Sequence, residues 1–291
     1  MTVLTLIGGT GAGPALADCA ARLANQFAAA PDWLGAGEAC ELHLDLEDRA
    51  AVEAHARALI GRAPIDLVVQ PAAERKKGLL VADLESTIIE NEMLDELAGF
   101  LGLRPEVSAI TRRAMNGEID FLGALEARVA LLAGMEEAVL EEAWARVRLM
   151  PGARALVATM RGAGAATALV SGGFGFFAER VAKELGFAHV VCNRLEVAGG
   201  RITGRVVLPI VTGETKRATL LGLAAAHGLP PSKTLAVGDG ANDLSMLAAA
   251  GLGVAFRAKP AVAAAARWRI EHADLTALLY AQGYRRREFA A

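Results

Sequence analysis

Cysteine is scarce in this chain. Cys19, Cys40 and Cys192 are the only three in 291 residues, and no two of them form a CxxC pair. That excludes a disulfide framework, argues against structural zinc and fits a reducing compartment. An excess of either charge is also missing. With 30 Lys+Arg against 33 Asp+Glu and a formal charge of -3, there is no broad basic surface for nucleic acid or an anionic membrane, so the expected partner is a small molecule. Long apolar runs are missing too. Residues 1–17 carry no side-chain charge, yet they lack a basic start, and the glycine-rich 8–14 segment interrupts any leader helix. The uncharged stretch 162–178 is broken by glycines and reads as strand and turn rather than a membrane span. These features predict a cytoplasmic protein with neither a nucleic-acid nor a membrane partner.

What the chain has is apolar material, 54% of its residues, and a length that exceeds one ordinary core. Residues 1–73 alternate as strand (3–7), helix (15–27), strand (39–46), helix (49–61) and strand (65–70), a small α/β unit in its own right. The polar, basic 71–77 segment reads as a linker. Residues 93–150 have purely helical periodicity. From 151 onwards, helices alternate with short apolar strands at 165–170, 189–192, 234–237 and 252–256, which predicts a parallel sheet covered on both faces. A glycine pair at Gly199 and Gly200 between two alternating runs predicts a β-hairpin over 195–208.

In such a sheet, ligands bind beyond the carboxyl ends of the strands, so the residues there are read together. The strand 79–82 delivers Asp83 and Glu85, two acids two residues apart. Ser171, Gly172 and Gly173 follow the next strand at a predicted helix start, where N–H groups and a hydroxyl suit an anion. Lys216 opens a helix, and Gly238, Asp239, Gly240, Asn242 and Asp243 follow the strand after it. Phosphoryl transfer needs a nucleophile, a proton donor, a cationic clamp and a divalent cation. Asp83 can attack phosphorus, Glu85 can carry the proton, Lys216 supplies positive charge, and Asp239 completes an oxygen-rich site suited to Mg²⁺, with Asn242 and Asp243 in support.

Asp-x-acid-x-Thr, Ser-Gly, Lys and Gly-Asp-Gly-x-Asn-Asp in this order resemble the haloacid dehalogenase superfamily of aspartate-nucleophile phosphotransferases. The blocks at 90–98, 113–121, 128–129, 149–152 and 171–174 narrow the resemblance to the phosphoserine phosphatase family, over about residues 78–275. The resemblance implies a Rossmann-like core (74–92 and 151–291), a helical cap (93–150), and Mg²⁺-dependent hydrolysis of O-phospho-L-serine, the last step of serine biosynthesis. It implies metal ligation by Asp83, Glu85 and Asp239 with Asp243 behind them, and phosphate contacts from Ser171, Gly172, Lys216 and Asn242. It further implies that Glu92 meets the substrate ammonium and Arg128 its carboxylate, while Met115 and Phe121 line the pocket.

One position departs from the family. Aspartate is usual where Glu85 stands, and the added methylene moves the acid outward; a misplacement of about 1 Å can cost on the order of a hundredfold in rate. Two rival readings therefore stay open: a phosphatase or phosphotransferase for another small phosphomonoester, and a catalytically impaired phosphoserine sensor. The glycines at 8–13 imitate a dinucleotide motif, but Pro14 occupies a position that needs Gly or Ala, and no acid follows at the required distance. Residues 1–73 instead resemble an ACT-type module, which implies amino-acid sensing or a homodimer through this domain.

Overall fold

The computed structural model describes residues 1–115 and 118–290, apart from the side chains of Ala114 and Met115. It holds two sheets. In the first, β1 (Thr2–Gly8), α1 (Gly13–Phe27), β2 (Pro31–Gly35), β3 (Ala39–Leu44), α2 (Arg49–Ile60) and β4 (Ile65–Pro71) form a βαββαβ unit with strand order β2-β3-β1-β4, antiparallel throughout. The helices turn Leu16, Cys19 and Leu23, and Val52, Ala56 and Ile60, onto the sheet at the three- and four-residue spacing of one helical face. The sequence reading misses β2, whose Pro31 and Gly35 look like turn residues. The strand is nonetheless held by pairing with β3, with a register shift between Trp33 and Gly35.

The second sheet is built around β5 (Leu79–Ala82), which is fully buried. After it come α3 (Met93–Phe100), α4 (Arg104–Met115), α5 (Phe121–Ala130) and α6 (Val139–Trp144), a helical insertion. Its neck is a bridge between Ile89 and Leu149, with Met150 N–H donating to Ile88 O at 2.9 Å. Then follow α7 (Ala153–Gly162), β6 (Ala166–Phe174), α8 (Gly175–Leu185), β7 (His189–Ala198), β8 (Arg201–Val207), α9 (Gly213–Ala226), β9 (Thr234–Gly238), α10 (Leu244–Ala249), β10 (Leu252–Phe256), α11 (Pro260–Ala265), β11 (Trp268–Ile270) and α12 (Ala277–Ala281). The strand order is β11-β10-β9-β5-β6-β7-β8, parallel except for the β7–β8 hairpin. Gly199 and Gly200 both have positive φ, 59° and 74°, as a two-residue hairpin turn requires.

The amino-terminal unit is not free-standing. One continuous apolar cluster runs from Leu4 and Val69 to Leu278 and Tyr280. Asp66 of β4 accepts N–H groups from Glu271, His272 and Ala273. The 71–77 segment is pinned rather than loose: Arg75 pairs with Glu41, and Lys77 Nζ donates to Glu74 O at 2.9 Å and Ser232 O at 2.8 Å. Among the described residues, no helix is long and apolar enough to cross a membrane.

Candidate active site

Both neighbours of β5 end beside Asp83, whose N–H donates to Val237 O at 3.0 Å, so the strand ends bring their polar residues together. A capping box between Thr212 and Thr215 starts α9 and sets Lys216 in its first turn. Lys216 is fully buried and donates to Asp83 Oδ1 at 2.5 Å and to Asp243 Oδ1 at 2.7 Å. Gly240 N–H donates to Asp243 Oδ2 at 2.9 Å, so both oxygens of Asp243 are engaged by the protein.

Carboxylate oxygens of Asp83, Asp239 and Asp243 lie within 4.8 Å of one another. Burial pushes Asp83 up to about 7, against the pull of Lys216, and burial with the nearby Asp243 pushes Asp239 up to about 6. Burial lowers Lys216, but Asp83 and Asp243 outweigh it and hold the ammonium above its ordinary value. An all-oxygen set of crowded acids fits a hard divalent cation: Lys216 occupies one oxygen of Asp83 and the Thr87 hydroxyl one of Asp239, which leaves the other oxygen of each for a ligand, with Asp243 behind them. The Glu85 carboxyl is outside this cluster.

Glu85 instead accepts the Met93 N–H at 2.9 Å, at the start of α3. Burial and the neighbouring Glu92 push it up to about 8, which keeps it a proton donor at neutral pH. Gly173 makes room for the extra methylene, since a Cβ there would stand 3.0 Å from the Glu85 Cδ. Ser86, at φ 52°, turns its hydroxyl to Glu92 Oε1 at 2.8 Å.

Ser171 and Gly172 lie in the irregular end of β6, not at a helix start. α8 begins only at Gly175, and the Ser171 Oγ accepts the Gly173 N–H at 2.9 Å. Asn193, which the sequence reading overlooks, holds this bend: it is 1% exposed, donates to Gly172 O at 2.7 Å and accepts the Val211 N–H at 2.7 Å.

A cavity of about 180 Å³ opens above these groups. Asp83, Glu85, Ser171, Gly172, Asp239 and Asn242 line its floor. The helical insertion contributes Glu92, which precedes α3, and Phe121 and Arg128 of α5. Arg128 Nε donates to Ala124 O, leaving the rest of the guanidinium for the cavity. Met115 closes α4, but its side chain is outside the described residues. Lys216 sits under the floor and reaches the site through Asp83. Lys259 also lines the cavity and draws Asp239 downward. It follows β10, where the rule of reading beyond strand ends would have found it.

A buried aspartate at a strand end, a lysine held against it, an acid cluster and a second acid two residues on thus gather at the carboxyl edge of a Rossmann-like parallel sheet, the place where hydrolases of this fold carry their active sites. Residues 80–248 match the model of the haloacid dehalogenase-like hydrolases, and the chain belongs to that family. Among its curated relatives are phosphoserine phosphatases. That of Idiomarina loihiensis is 46% identical over 206 residues, 71% of this chain and 94% of that one. That of Streptomyces coelicolor is 44% identical over 229 residues, 78% of this chain, although the match spans only 56% of the Streptomyces protein. A solved structure described as a phospho-aspartyl intermediate analogue of phosphoserine phosphatase superposes with a TM-score of 0.66 at 37% identity, covering 70% of this chain and 98% of that one.

Proposed function

We propose that the protein hydrolyses O-phospho-L-serine to L-serine and phosphate through an aspartyl phosphate on Asp83, as the last step of serine biosynthesis in the cytoplasm. The observation that carries this is one small cavity lined together by Asp83, Glu85 and Asp239, by Ser171 and Gly172, and by an acid and a base, Glu92 and Arg128. A phosphorylated amino acid carries a phosphate, an ammonium and a carboxylate; Glu92 and Arg128 are complementary to the last two, and the Ser171, Gly172 and Asn242 donors with a cation in the acid cluster would meet the first.

A carboxylate oxygen of Asp83 forms a bond to phosphorus while the bond from phosphorus to the serine oxygen breaks, and Glu85 gives its proton to that oxygen. Water then attacks the acyl phosphate, Glu85 takes the proton back, and phosphate leaves. The Ser171 hydroxyl, Gly172 N–H and Asn242 face the phosphoryl oxygens, and Lys216, held on Asp83 beneath them, supplies positive charge to the phosphate from below. Glu92 pairs with the ammonium, Arg128 with the carboxylate, and Phe121 and Met115 close the apolar side. Mg²⁺ held by Asp83 and Asp239, and by the main-chain carbonyl of Glu85, would neutralise phosphoryl charge. The helical insertion over 93–150 acts as the cap, and the glutamate at 85 reaches its proton acceptor after leaving the Met93 N–H. The amino-terminal unit, an ACT-like module, provides a homodimer contact.

The deciding experiment measures phosphate release from L-phosphoserine. Turnover that is lost on chelation, restored by Mg²⁺ and abolished in Asp83→Asn supports the reading. Binding without turnover, or preference for a phosphomonoester lacking the amino-acid groups, opposes it.

A further inference from the structure

A second cleft lies at the opposite end of the parallel sheet, where the amino-terminal unit meets the core. It has a volume of about 460 Å³ and is lined by Arg49, Gln70, Lys77, Ser232, Arg267 and Trp268, among others. Lys77, Ser232 and Trp268 precede or open β5, β9 and β11, so they sit at the amino ends of the parallel strands, and the carboxyl ends of β5 and β9 carry Asp83 and Asp239. The two sites are therefore separated by the length of β5 and β9.

The cleft carries more positive than negative charge. Lys77 is 8% exposed, and its ammonium meets only the main-chain oxygens of Glu74 and Ser232. Burial, reinforced by nearby Lys233, draws its pKa down to about 8. Arg49 has no carboxylate partner among the described residues, and Arg267 does no more than lie over the Trp268 ring, 4.8 Å from its centroid. Arg49 also opens α2, where the partial positive charge of the helix end disfavours a cation. Against these three cations the cleft sets one acid, the exposed Glu74. A bound anion would offset the charge of buried Lys77 and half-buried Arg49 and give the exposed Arg267 a partner, while Val69 and Trp268 offer an apolar wall.

We propose that this cleft binds a small phosphate-bearing anion, held by the two guanidiniums with the Lys77 ammonium behind them, and so ties the amino-terminal unit to the core. The planar fork of each arginine suits the oxygens of phosphate.

The chain has three tryptophans, so Trp33→Phe/Trp144→Phe leaves Trp268 as the only one and makes its fluorescence a reporter of this cleft alone. The probe is inorganic phosphate, titrated against sodium chloride at equal ionic strength. A saturable change with phosphate and none with chloride is the expected result. In the same background, Arg49→Gln/Arg267→Gln should raise the half-saturation point by about tenfold or more, the loss of charged hydrogen bonds, while a Ser171→Ala change at the distant site should leave it unmoved. No saturable change, an equal response to chloride, or saturation unaffected by the arginine substitutions would overturn the proposal. Far-UV circular dichroism identifies any variant that fails to fold, and Arg267→Gln alone then serves in its place.

Discussion

Replacing Lys216 with methionine isolates the electrostatics at the centre of the site. The side chain is fully buried and its ammonium is shared between Asp83 and Asp243 at 2.5 and 2.7 Å. Methionine keeps the volume and removes the charge, leaving two buried carboxylates facing each other. Removing one partner of a buried ion pair costs about 3–5 kcal/mol. The cost must depend on pH in a defined direction. Asp83 stands at about 7 even with Lys216 present, and without the ammonium it rises further. An acid whose folded pKa exceeds its unfolded value binds more protons when folded, so its contribution to stability falls as pH rises between those two values. Thermal unfolding in chelator, at about pH 8 and about pH 5.5, should show a deficit in Tm on the order of 10 °C for Lys216→Met at the higher pH and a clearly smaller one at the lower pH. A deficit that is negligible at about pH 8, or that does not change with pH, would refute the reasoning. Added Mg²⁺ should recover part of the loss at about pH 8, since a cation in the acid cluster replaces some of the missing charge.

Glu85→Gln should lower kcat by about 10²- to 10⁴-fold, as loss of a general acid does, measured by phosphate release. In the unaltered enzyme, kcat/KM should fall as pH rises through about 8, because Glu85 donates only when protonated; a profile flat across that range contradicts the role. Arg128→Met should raise KM for phosphoserine by about tenfold or more while leaving KM for phosphoethanolamine, which has no carboxylate, nearly unchanged. Asp66→Ala orphans the N–H groups of Glu271, His272 and Ala273 and should destabilise the protein by about 3 kcal/mol in urea unfolding, with kcat unaffected.

Residues such as Asp83, Asp239 and Lys216 were readable from sequence because each stands at a fixed place relative to a strand or a helix start, and parallel strands carry such places to one edge of the sheet. Ser171 lies at the cavity as its place after a strand suggests, but its local structure was read wrongly, since its hydroxyl closes a bend on Gly173 that no periodicity encodes. Asn193 was missed because it lies inside a strand and acts through main-chain groups of two distant segments. Strand β2 escaped because its ends carry turn-forming residues and its pairing is supplied by β3. The union of the amino-terminal unit with the core was hidden for a related cause: Asp66 is an acid in an otherwise apolar strand, and only the fold shows that its partners lie more than two hundred residues away. A buried acid in such a strand is itself a signal that something must meet it.

The central claim is a covalent bond between phosphorus and the side chain of Asp83. Rapid quenching of the protein with excess L-phosphoserine and Mg²⁺, followed by mass spectrometry of the peptides, tests it directly. The account predicts a phosphoryl adduct on the peptide that contains Asp83, discharged by hydroxylamine and missing in Asp83→Asn. Steady phosphate release with no such adduct, or release that survives in Asp83→Asn, would contradict it.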